Sequence, residues 1–129
     1  MNLARPADDP ESICTSNDTD EAKCYRDSEP EIYESARAVA RLLQNGNSHC
    51  TGWLVGSEGH VMTNEHCITT ASDALNTDYE FMAEAPDCAS SNCQLCWPGT
   101  VFSGATFIQD SADLDYALVQ INSGSPAAT

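Results

Sequence analysis

Cys50-Thr51-Gly52-Trp53-Leu54-Val55 and, past Ser57-Glu58-Gly59, His60-Val61-Met62-Thr63-Asn64-Glu65-His66-Cys67 form the stretch on which the fold turns. Trp53-Leu54-Val55-Gly56 reads as one strand, Ser57-Glu58-Gly59 as a turn, and His60-Val61-Met62-Thr63 as the return strand. Working outward, Ala38-Val39-Ala40-Arg41-Leu42-Leu43 is a short apolar run ended by Asn45-Gly46-Asn47. Asp78-Tyr79-Glu80-Phe81-Met82 alternates polar with apolar, as does part of Thr100 to Ile108, and Tyr116-Ala117-Leu118-Val119-Gln120-Ile121 is a mostly apolar strand. Six short strands separated by turn signals predict an all-β antiparallel barrel or sandwich. One segment carries a competing pattern. Glu31 to Leu43 places Ile32, Ala36, Val39 and Leu43 on one face of an amphipathic helix, and propensity alone prefers that helix.

The region before this pattern is different. Residues 1–34 are acidic and poor in apolar side chains, with Asp8-Asp9-Pro10-Glu11 and Asn17-Asp18-Thr19-Asp20-Glu21, and read as a loop-rich arm held by Cys14 and Cys24. The expected organisation is therefore an arm over 1–34, a barrel over 35–122 and a linker over 123–129. The start, Met1-Asn2-Leu3-Ala4-Arg5-Pro6, turns polar at once and shows no signal peptide. The chain accordingly begins after processing, is incomplete, or is intracellular.

Composition narrows the function classes. Five Lys and Arg against 20 Asp and Glu give a formal net charge of -15. That balance argues against nucleic acid, whose phosphates need clustered cations, and against anionic membranes. Hydrophobic residues make up 41%, enough for a packed globule rather than a disordered acidic chain.

Seven cysteines in 129 residues are many. Cys50 and Cys67 sit in apolar, strand-like surroundings, while Cys14, Cys24 and Cys88 are scattered, which suits long-range disulfides better than a zinc knuckle. A zinc site from Cys88, Cys93 and Cys96 with a histidine is the weaker reading, because a lone Cys-x-x-Cys is a poor signal. No metal and no cofactor are expected. His49 and His60 read as surface or structural residues, and Trp53 and Trp97 as packing residues.

The Cys50 to Cys67 segment resembles the catalytic-histidine hairpin of the trypsin-like (chymotrypsin-fold) serine proteases. In that family one cysteine opens a strand, and a second directly follows the histidine. Downstream, Asp113-Leu114-Asp115-Tyr116-Ala117-Leu118-Val119 resembles the segment carrying the triad aspartate. The two early cysteines, Arg37-Ala38-Val39 and Cys88 bring the chain nearest to the lysyl-endopeptidase branch. Asn64 and Glu65 depart from the pattern, since the family usually has small residues or a second histidine there.

The resemblance implies a six-stranded Greek-key barrel, the N-terminal half of a two-barrel enzyme, and it is the reason to read residues 38–43 as a strand. It implies His66 as general base and Asp115 as its orienting carboxylate, with Asp113 as the fallback. It further implies pairing of Cys50 with Cys67 and of Cys24 with Cys88. Cys93 and Cys96 then remain, their pairing left open because two intervening residues make a tight ring, and Cys14 is unpaired, its partner lying in a missing C-terminal barrel. The nucleophilic serine would also lie in that barrel. Asn122-Ser123-Gly124-Ser125-Pro126 imitates a nucleophile motif, but Ile121 stands where its glycine belongs, and a strand separates Ser123 from Asp115. The function implied is a secreted, extracellular serine endopeptidase acting on protein or peptide substrates, with this chain inactive alone. The alternative is a non-catalytic protease homologue that binds a partner protein.

Overall fold

The computed structural model describes residues 19–90, 93, 95–124 and 126, the side chains of residues 48 and 49 excepted. The expectations for Cys14, for the first 18 residues and for the His49 side chain lie outside the described residues. A 3-10 turn, Ala22–Tyr25, is followed by helix α1, Pro30–Ala36. Strands β1, Val39–Gln44, β2, Asn47–Val55, and β3, His60–Thr63, come next. A short helix α2, Ala71–Leu75, precedes β4, Thr77–Phe81. The series ends with β5, Thr100–Ser103, β6, Ala105–Ser111, and β7, Tyr116–Ile121.

All pairings are antiparallel, in one seven-stranded sheet ordered β5-β4-β1-β2-β3-β7-β6 that curls into a half-barrel. The sequence predicts six strands because Thr100 to Ile108 reads as one. Gly104 divides it: its φ of 78° is a left-handed conformation that no ordinary strand residue adopts, and the chain turns there from one sheet edge to the other. The competing patterns over 31–43 divide likewise. The first half is α1, opened by Pro30 at its first turn, and the second half is β1. β1 hydrogen-bonds to both β2 and β4, so tertiary pairing overrides helix propensity in that half.

Strand alternation sets the inside. Ala40, Leu42, Val61, Tyr79, Phe81, Ala117, Val119 and Ile121 are all at most 5% exposed and form the core. Phe81 and Phe102 meet edge to face at 5.9 Å. The opposite face of β1 and β4 carries an ion pair instead. Arg41 and Glu80 are cross-strand partners; Arg41 Nε donates to Glu80 Oε2 at 2.5 Å, and Glu80 is 4% exposed. The second carboxylate oxygen accepts the Gly99 N–H at 2.6 Å, and Arg41 Nη2 donates to the Trp97 carbonyl at 3.1 Å. The pair thus anchors the long connection between β4 and β5. Gly99 must be glycine, since a Cβ there would lie 2.1 Å from the Phe81 carbonyl oxygen.

Helix α2 was not anticipated from the sequence, although Thr70-x-x-Asp73 is a capping-box spacing. The Thr70 hydroxyl accepts the Asp73 N–H at 3.1 Å, and the Asp73 carboxylate accepts the Thr70 N–H at 3.1 Å. The Thr69 hydroxyl donates to the same carboxylate and is the first cause holding the Asp73 carboxyl below its usual range. Replacing Thr70 by alanine is expected to cost about 1 kcal/mol, read as a lower urea midpoint at unchanged slope.

Among the described residues, those before β1 are tied to the connection between β4 and β5. Cys24 is disulfide-bonded to Cys88. Lys23 forms a 2.9 Å ion pair with Glu84, which also accepts the Tyr33 hydroxyl at 2.7 Å.

Candidate active site

His66 lies on a turn just past β3, closed by the Cys67 N–H donating to the Asn64 carbonyl at 3.2 Å. Cys67 is 4% exposed and disulfide-bonded to Cys50 in β2. The covalent tie therefore sits one residue from the imidazole and fixes the backbone that carries it. Asp115 immediately precedes β7, and the ladder pair Thr63–Ala117 brings the end of β3 against the start of β7. That register, rather than local sequence, joins two residues 49 positions apart.

The contact is close and bidentate. His66 Nδ1 lies 2.8 Å from Asp115 Oδ2 and 2.9 Å from Oδ1. The His66 backbone N–H also donates to Asp115 Oδ1 at 3.1 Å. This backbone bond is the foremost cause holding the Asp115 carboxyl below its usual range, with the imidazole and Asn64 adding to it. A carboxylate on Nδ1 selects the tautomer in which Nδ1 carries the proton, leaving Nε2 as the basic nitrogen. The imidazole is 67% exposed, so Nε2 is open to an incoming reactant.

Asn64, which the sequence marks only as a departure from a family pattern, belongs to this cluster. Its side-chain Nδ2 donates to Asp115 Oδ2 at 3.1 Å and to the Asp115 carbonyl at 3.2 Å. Asp113, the fallback carboxylate, is exposed in the turn two residues before Asp115. Ser123 follows the far end of β7, about 20 Å along the strand from Asp115 at ~3.3 Å per residue. The structure does not bring it to the pair.

Cys93 and Cys96 are disulfide-bonded to each other. Cys50, His66 and Cys67 place ligand-capable atoms within 4.8 Å of one another, but both sulfurs are consumed in the disulfide. No thiolate is left there to hold a metal. Among the described residues, one cavity of about 420 Å³ lies between α1 and the sheet, lined by residues that include Tyr33, Arg37 and Glu84, and another of about 320 Å³ is lined by residues that include Leu54, Phe81 and Phe102. Neither is lined by His66 or Asp115, and both side chains of the pair are exposed.

Comparison with known proteins adds two findings. The family model described as "Lysyl endopeptidase, C-terminal domain" matches residues 14–129. The chain is also 44% identical over 117 residues to "Secreted RxLR effector protein 73" of Plasmopara viticola, an alignment covering 86% of this chain and 29% of that protein. The chain thus spans about 29% of the length of this curated relative.

Proposed function

The chain belongs to the lysyl endopeptidase C-terminal domain family, and we propose that it is the histidine–aspartate half of a trypsin-like serine endopeptidase. The observation that carries this reading is the Asp115 carboxylate seated on His66 Nδ1 from 49 residues away. Such a carboxylate orients the imidazole and stabilises the imidazolium formed when Nε2 takes a proton. In this mechanism a serine from a second barrel attacks the peptide carbonyl. His66 removes the serine proton and then delivers it to the leaving amine, while the oxyanion is held by donors of the second barrel.

Two further features support a second half. The outer face of the sheet carries a row of cross-strand neighbours, Val39, Trp53, Met62 and Leu118, running across β1, β2, β3 and β7. Val39 is 45% and Trp53 48% exposed. A contiguous apolar row in water favours association with another surface. The open setting of the pair points the same way, because substrate walls and a specificity pocket must then come from outside this half. We further read β5, Gly104 and β6 as one bent strand closing a six-stranded Greek-key barrel. Its support is that β5 and β6 stand at the two sheet edges with a single residue between them. The protein works extracellularly: three disulfides among the described residues belong to an oxidising compartment, and the Plasmopara viticola relative is named as secreted.

The second reading is a non-catalytic homologue that binds a host protein, and what favours it is that the same relative is named an effector. Fluorophosphonate labelling separates the two. The chain alone is expected to remain unlabelled, whereas the longest secreted product of the gene should be labelled at a serine beyond residue 129. Absence of labelling in that product would favour the binding role. Labelling of the isolated chain at Ser123 would contradict both readings.

A further inference from the structure

We infer that Asn64 is a positioning residue for Asp115, holding its carboxylate toward His66 within this chain alone. The inference rests on reading His66 and Asp115 as an acid–base pair and extends it to a residue that no comparison singles out. Asp115 has φ 51°, a left-handed conformation uncommon outside glycine. Such a residue keeps its place only when its surroundings define it. Asn64 supplies the definition at two points of the same residue, its Nδ2 donating to the Asp115 carbonyl and to Oδ2. Both partners are acceptors, so the amide has one sensible orientation; a flipped amide would set its own oxygen against them. The carbonyl contact holds the backbone, and the carboxylate contact holds the side-chain rotamer. Oδ2 is also the atom nearest to Nδ1, at 2.8 Å. Asn64 is itself fixed by the disulfide-anchored turn, since its carbonyl accepts the Cys67 N–H. Among the described residues, the side chains that reach the Asp115 carboxylate are those of Asn64 and His66, so the pair is held together by groups of this chain.

The test is the tautomer of neutral His66, read from its ring ¹⁵N shifts in the intact 129-residue chain. The wild type should be mainly protonated at Nδ1, and Asp115→Ala should revert to the Nε2-protonated form favoured by free imidazole. Asn64→Ala is expected to move the tautomer ratio at least halfway from wild type toward Asp115→Ala, with the dispersed backbone spectrum retained. Asn64→Ser, which keeps one shorter donor, should fall between and serves as the decisive variant if Asn64→Ala does not fold. A wild-type ratio in the folded Asn64 variants, with Asp115→Ala shifted, overturns the role of Asn64 and leaves the pair intact. No shift in Asp115→Ala overturns the pair itself, and the inference with it.

Discussion

On the proposed function, Asp115→Asn in an enzyme completed by a serine-bearing half is expected to lower kcat by about 10⁴-fold, the scale of losing a triad aspartate. The reason lies in proton placement. A neutral asparagine amide can present its N–H to Nδ1, which then becomes the acceptor and moves the proton to Nε2. The nitrogen that should accept the serine proton is then already occupied. KM should change little, because an orienting carboxylate acts on the imidazole in the transition state rather than on bound substrate. Steady-state kinetics on a chromogenic peptide ester checks this, and a loss below tenfold would remove Asp115 from the triad.

The largest stability effect is expected at Glu80. Glu80→Ala leaves the Arg41 guanidinium, the Gly99 N–H and the anchored β4–β5 connection without their common acceptor. Breaking a buried pair from one side costs about 3–5 kcal/mol. The Arg41 side chain is 19% exposed and regains some water, which argues for the lower end. About 3 kcal/mol corresponds to a fall in Tm of about 10 °C for a domain of this size. The pH dependence has a definite sign. Hydrogen bonding from Arg41 holds the Glu80 carboxyl below its usual range, against burial that pushes it up. A carboxyl lowered in the folded state contributes fully above its unfolded pKa, and the contribution is lost as pH falls through the folded value. The Tm gap between wild type and Glu80→Gln should therefore close below about pH 4, the usual glutamate value. A gap that persists unchanged to acid would show that packing, not charge, holds this site.

How far the sequence could be read depended on what each residue's role required. The β2–β3 hairpin is local, with apolar runs on either side of Ser57-Glu58-Gly59, and period-2 alternation suffices to see it. His66 and Asp115 are individually conspicuous, one beside a cysteine and the other opening an apolar strand, and a family pattern proposes their meeting. Asn64 had no such visibility. It meets a left-handed Asp115 from 51 positions away, and no spacing rule announces a left-handed aspartate. Residues 31–43 defeated periodicity for another reason: α1 and β1 abut, so one stretch satisfies two patterns, and only pairing with β4 and β2 decides where one stops. Gly104 lies inside an alternating run, where an isolated glycine hints at a break, but the neighbours on either side remain good strand formers and mask it. Asp73 is masked in the same way, since its capping-box spacing sits in a run of small polar residues.

The Cys24–Cys88 bond has a consequence for survival outside the cell. It encloses residues 25–87, a span that includes α1, the hairpin, the His66 turn and α2. A protease that nicks any one loop within this span cannot shed a fragment, because both pieces remain covalently joined. The Cys50–Cys67 bond nests inside the larger ring and protects the turn carrying His66 a second time. A clipped molecule keeps its histidine turn attached to the rest of the sheet, so a first cut is not yet a loss.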